Sequence, residues 1–351
     1  MIKDNDLPLC TAIGSLPHHN IDAALAFSFT MDIPFLPQIP IRNPWEFMLA
    51  QALEGLAGLQ VENEGTVSLD LEVWKTQSHI LERKLNFAFK NIITPNAFEG
   101  FEPSNATSSS WYPFLWELEE RKIKIAKIQI AGPLTCNWAI RTKQGSLLDA
   151  TPELANQVFK LILARAIAMS RRLIRQNIQT LCYIDEPGLY VYSPQNFKHV
   201  LAFQELKIII QSLKRENISV GLHCCSNTSW NQILLLGLDY LSIDTDLSLE
   251  NLLSQKNDFF NFIKQGGRMS FGAVPTNLEN EDIYKLNATS LYNNISENMA
   301  KAFPEQPDFV RQTLKAAIYT PACGLAMLSP SHAEFILTTL KELTRLCKNN
   351  S

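Results

Sequence analysis

Eight short apolar, often β-branched runs recur along the chain with longer stretches of helical periodicity between them, and no other feature restricts the fold so strongly. The runs fall at residues 9–13, 33–38, 125–131, 179–184, 218–222, 240–243, 269–274 and 317–320. Runs of this length between amphipathic stretches read as buried parallel strands joined by crossover helices. Residues 154–174 carry apolar side chains at three- and four-residue spacing, and residues 333–346 do the same behind a Ser331 cap. Eight such units predict an α/β fold of the closed (β/α)8 TIM-barrel type. An open doubly wound sheet is the competing arrangement, but it expects a glycine-rich phosphate loop after the first strand, and none follows residue 13.

The second and third runs are separated by far more chain than one crossover helix needs, so the barrel carries an insertion at about residues 57–122. The aromatic side chains that frame its tip, Phe98, Phe101, Trp111, Tyr112, Phe114 and Trp116, either form a lid over the barrel mouth or pack the insertion onto the helix ring. No interdomain linker and no repeat interrupts the pattern, and the chain reads as one domain, 1–351.

Hydrophobic residues make up 46% of the 351 residues and charged ones 19%, which supplies a large core and excludes a disordered chain. The net charge of −4, without a basic cluster, speaks against nucleic acid or an anionic membrane surface as partner. The N-terminal Met1-Ile2-Lys3-Asp4-Asn5-Asp6 has no secretory pattern and no apolar run is long enough to span a bilayer, so a cytoplasmic location is expected. Seven cysteines, odd in number and including the adjacent Cys224 and Cys225, point to reduced thiols and a metal site rather than to a disulfide framework.

Barrel chemistry sits where strands end, so the residues just after each run are the informative ones. They are Gly14-Ser15-Leu16-Pro17-His18-His19, Gly132-Pro133-Leu134-Thr135, Asp185-Glu186-Pro187, His223-Cys224-Cys225, Asp244-Thr245-Asp246, Pro275-Thr276 and Cys323-Gly324. His223 and Cys225, two apart on a strand end, point the same way and Cys224 the other. With Cys323 and Asp244 they make an N, S, S, O set suited to tetrahedral Zn²⁺. Cys10, Cys136, Cys182 and Cys347 read as small hydrophobic residues. Asp185 and Glu186 can bind an ammonium group or take a proton, or can cap a helix. His18 either contacts substrate or orders its loop, and Arg42 either meets an acidic substrate or pairs at the surface.

The order of Thr11-Ala12-Ile13-Gly14-Ser15-Leu16-Pro17, Ile184-Asp185-Glu186-Pro187, His223-x-Cys225, Leu241-Ser242-Ile243-Asp244 and Pro321-Ala322-Cys323-Gly324 resembles the catalytic half of cobalamin-independent methionine synthase, in the superfamily that also holds uroporphyrinogen decarboxylase. The resemblance runs from Thr11 to the final helix. It implies a catalytic zinc on His223, Cys225, Cys323 and an acidic residue, with Asp244 standing where the family usually has Glu. It also implies a thiol acceptor such as homocysteine, whose carboxylate Ser15 contacts and whose ammonium Asp185 contacts. Asp185 and His18 are the candidate catalytic residues, and Ser15, Asp185, Glu186 and Arg42 the candidate substrate-binding ones.

The departures from that family choose the donor. This chain corresponds to one half of the long enzyme, and Gly272-Ala273-Val274-Pro275-Thr276 replaces the Asp-x-His that helps protonate the departing folate. A methylated corrinoid needs no such proton, so a corrinoid, free or on a carrier protein, is expected in preference to a folate. The family's His-Gly-Glu segment is missing, with Glu64 and Glu72 as nearby candidates for its carboxylate. The alternatives are a non-catalytic zinc-containing barrel that acts as a binding protein and a tetrapyrrole decarboxylase, whose Arg-Gln-Ala-Gly-Arg signature is absent.

Overall fold

The computed structural model describes residues 8–278 and 281–349. The N-terminal stretch read for a secretory pattern lies outside the described residues. Among the described residues ten strands form two sheets: β1 Leu9–Cys10, β2 Leu59–Val61, β3 Val67–Leu69, β4 Ile125–Ala131, β5 Arg141–Thr142, β6 Gln179–Asp185, β7 Ser219–Cys224, β8 Tyr240–Asp244, β9 Arg268–Val274 and β10 Ile318–Pro321. Seven of them make one parallel sheet in the order β1-β10-β9-β8-β7-β6-β4. After the first residue of each, β4, β6 and β9 are buried throughout, as expected of parallel strands covered on both faces.

The expected strand at residues 33–38 does not join this ladder. Pro34 and Pro37 remove two donors from the segment, and what remains bonds singly to both neighbours. Ile33 and Gln38 donate to Cys10 O and Gly14 O on the β1 side, whereas Leu36 donates to Lys127 O and Lys127 to Pro34 O on the β4 side. The segment therefore fills the gap between the outer strands with isolated bridges, and the sheet is a curled seven-stranded ladder rather than an eight-stranded closed one.

The sheet curls around its own small core. Ile33, Leu181, Tyr183, Tyr240 and Ile318 form a buried cluster on the concave face, separate from the large core between sheet and helices. The two helices expected at residues 154–174 and 333–346 run Pro152–Arg175 and Pro330–Asn349. Ser329 rather than Ser331 caps the second, because Pro330 takes the first helical position and His332 N reaches Ser329 Oγ at 3.2 Å.

Residues 57–122 hold β2 and β3 as an antiparallel hairpin, with β5 joining from beyond residue 122. Of the six rings expected at the tip of this stretch, Phe98, Phe101, Trp111 and Phe114 are buried, while Tyr112 and Trp116 face solvent. Four rings thus serve packing rather than a lid. No helix among the described residues is long and apolar enough to cross a membrane.

Candidate metal centre

His223 is the penultimate residue of β7, Cys225 follows that strand, and Cys323 follows β10. Their ligand atoms lie within 4.8 Å of one another, and they are the one group of three or more such residues found among the described residues. β7 and β10 are three strand intervals apart in the ladder, about 14 Å in a flat sheet, so only the curl brings these atoms together. Cys224 alternates outward as expected: it is fully buried and its thiol donates to Ser226 O at 3.2 Å.

His223 is held by Ser242, which stands opposite it in the register of β7 and β8. The Nδ1···Ser242 Oγ distance is 3.0 Å, while Nε2 is buried without a partner. When Nδ1 carries the proton to Ser242, Nε2 keeps a free lone pair directed into the site. The Cys225 and Cys323 thiols lie beside one another and beside His223. Their mutual interaction, with burial, pushes the Cys225 thiol up, and the same interaction, with His223, pulls the Cys323 thiol down. One imidazole nitrogen and two thiols this close form a donor set that a cation can bind by displacing their protons.

The other predicted site residues divide. Asp185, at the end of β6 and opposite His223, is buried, and its Oδ1 has no hydrogen-bond partner. Burial pushes its carboxyl up to about 6, against the pull of His223 and Lys127. Ser15 is half-buried, and Gly324 lies so close to it that a Cβ there would meet Ser15 Oγ at 2.2 Å. Glu186 points elsewhere. It is fully buried and accepts from Leu134 N at 3.0 Å, Thr135 N at 2.7 Å and Thr135 Oγ1 at 2.5 Å, at the N-terminus of helix Pro133–Ala139. Gly132 permits this approach, since a Cβ there would lie 2.1 Å from Oε1. Glu186 is thus a helix cap, and burial raises its carboxyl to about 7.

Asp244 lies outside the three-residue cluster, with Oδ1 accepting from Asp246 N and Leu247 N at 3.0 and 3.1 Å to cap helix Thr245–Ser254. His18 is buried against Phe27, with a ring separation of 5.1 Å and neither nitrogen bonded. Burial holds its pKa down, against the charge of Glu334. Arg42, Glu64 and Glu72 are exposed, and Glu72 pairs with Lys75. None of the seven cysteines is in a disulfide among the described residues, and Cys10, Cys136, Cys182 and Cys347 are buried.

Sequence reading missed Lys127. It is 1% exposed on the concave face, donating to Ile13 O at 2.6 Å and Gln129 Oε1 at 3.2 Å, with Nζ 4.9 Å from the Tyr183 ring centre. Burial pulls its pKa down to about 8, and Asp185 is the carboxylate that opposes this. The signal was available: a lysine in the middle of an otherwise buried strand is itself an anomaly.

No family model matches the chain, and no curated protein is similar to it. Solved structures are: a methyltransferase from Methanosarcina mazei superposes with a TM-score of 0.54 at 14% identity, covering 96% of this chain and 94% of that one. At that identity the likeness is one of fold.

Proposed function

We propose that the chain is a zinc-dependent methyltransferase that moves a methyl group from a methylated corrinoid, in preference to a folate, to a thiol. The observation that carries this reading is the convergence of His223, Cys225 and Cys323 at the strand ends of a fold shared with a methyltransferase. An unpartnered imidazole nitrogen beside two thiols fits a soft, tetrahedral zinc site in donor chemistry. On this reading residues 33–38 complete an eight-unit barrel of one domain, and residues 57–122 are an insertion in it.

Zinc bound there lowers the pKa of a coordinated thiol, each unit being about 1.4 kcal/mol in favour of thiolate at neutral pH. The chain's own residues do the rest. Ser242 holds the His223 ring in one orientation and tautomer. Asp185 offers its unpaired Oδ1 to the acceptor's ammonium, and Ser15 offers a hydroxyl to its carboxylate. After β9, Pro275-Thr276 stand in place of the Asp-x-His expected of a folate-using enzyme, which favours a donor that leaves with its own electron pair. The thiolate lone pair forms the C–S bond, and the C–Co pair stays on cobalt as Co(I).

Demethylation of methylcobalamin, followed spectrophotometrically with candidate thiols and zinc-loaded protein, tests the reading. Turnover that needs both zinc and thiol supports it. Faster turnover with methyltetrahydrofolate overturns the donor assignment, and full zinc without transfer from either donor leaves the binding-protein alternative.

A further inference from the structure

The bond from Lys127 Nζ to Ile13 O reaches from β4 to the chain that leaves β1. Burying an ammonium is costly, and an apolar side chain would fill this position more cheaply. The turn that Lys127 holds leads straight to the metal cluster. Gly14 rests on Gln129, where a Cβ would meet Nε2 at 2.5 Å, and Gly14 O accepts from Gln38 N at 3.0 Å. Gln129 Nε2 in turn donates to Leu36 O at 2.9 Å. Ser15 O accepts from Leu325 N at 3.0 Å, and Ser15 Oγ, without a hydrogen bond among the described residues, lies against Gly324, the neighbour of Cys323.

We infer that Lys127 is a positioning residue: by holding the Ile13 carbonyl it sets where the Ser15 hydroxyl stands beside Cys323, and so gives the site a preference for thiols that carry a carboxylate. The inference rests on the thiol-acceptor reading above. It differs from a purely structural role because the effect of Lys127 must pass through Ser15.

The test uses the full chain loaded with Co²⁺, whose visible spectrum reports sulfur ligation, titrated with L-homocysteine and with 3-aminopropane-1-thiol, the same thiol without its carboxylate. Wild type should bind the first about tenfold more tightly, the worth of one charge-assisted hydrogen bond. Lys127→Met also removes a charge beside Asp185 and so shifts both thiols together, but the ratio of their affinities should fall to about one. Ser15→Ala should do the same, and the double variant should lose no more than either single one. Should Lys127→Met fail to fold, Gly14→Ala displaces the same turn from Gln129 and must give the same selective loss. An equal fall for both thiols, an additive double variant or an intact preference overturns the assignment of Lys127 alone. A wild-type spectrum unmoved by either thiol overturns the acceptor reading and this assignment with it.

Discussion

Replacing Glu186 by alanine separates structure from chemistry at the end of β6. The carboxylate accepts three hydrogen bonds in a place that water does not reach, two from backbone N–H groups and one from Thr135 Oγ1. Removing it strands two buried donors and a hydroxyl, each worth about 1–3 kcal/mol, and the loss should total about 3–9 kcal/mol. With an unfolding entropy of about 2 cal/mol/K per residue, a chain of this length shifts about 1.4 °C for each kcal/mol, so Tm should fall by about 4–12 °C. Calorimetry of the zinc-loaded protein measures the shift, and elemental analysis should find the metal retained. Thr135→Val breaks the same network from its other side, since Thr135 Oγ1 also accepts from Gly188 N at 2.9 Å, and its cost should be strongly non-additive with Glu186→Ala. A Tm change below about 2 °C together with altered thiol binding would return Glu186 to the substrate site and refute the capping argument.

Three further outcomes follow from the same contacts. Elemental analysis should find one zinc per wild-type chain, almost none in Cys323→Ser or Cys225→Ser, and full content in Cys224→Ser, whose thiol is turned toward Ser226. Asp244→Asn keeps a capping side chain and should hold both Tm and zinc, whereas Asp244→Ala should cost about 1 kcal/mol; loss of zinc in the Asn variant would make the carboxylate a ligand. Glu205 has its carboxyl raised from 4.5 to about 7 by burial and by the charge of Glu186. A raised carboxyl gives stability that is present below its unfolded pKa and lost as pH rises toward the folded one. Glu205→Gln should therefore flatten the loss between about pH 4.5 and 7 and be the more stable protein at about pH 8, which thermal melts across that range would check.

Periodicity carried the sheet because seven of the eight apolar runs are strands buried on both faces, where pattern and burial say the same thing. It failed at residues 33–38, where apolar composition masks the prolines that deny the segment a ladder. The ligand cluster was legible because alternation alone decides that His223 and Cys225 share a side and Cys224 does not. Which strand-end acid faces the mouth was not legible. Asp185 and Glu186 differ by one residue, and the N-terminus of the helix after β4, distant in sequence, claims the second of them. Asp244 met the same competition, since an acid placed just before a helix satisfies that helix's first N–H groups at close range.

The vertical order on the concave face explains why the centre lies where it does. The apolar floor of Ile33, Leu181, Tyr183, Tyr240 and Ile318 closes the sheet below, so a charge above it has little water to screen it. Lys127, opposite Leu181 in register, carries its Nζ over the Tyr183 ring, and along β6 Asp185 stands one same-face step above Tyr183, about 6.6 Å higher. Opposite Asp185 in register comes His223, followed by the two thiols at the half-buried rim. Charges in such a stack must cancel locally. Lys127 offsets Asp185, and on the proposed reading zinc offsets the Cys225 and Cys323 thiolates. A thiolate entering above them is then the one charge without a counterpart, and the groups left to meet the rest of the acceptor are Asp185 Oδ1 and Ser15 Oγ. An acceptor whose own ammonium reaches that carboxylate brings a positive charge to the site, and this is the electrostatic reason to favour an amino-bearing thiol over a simple alkyl one, while a carboxylate on the same acceptor would need the Ser15 hydroxyl to meet it.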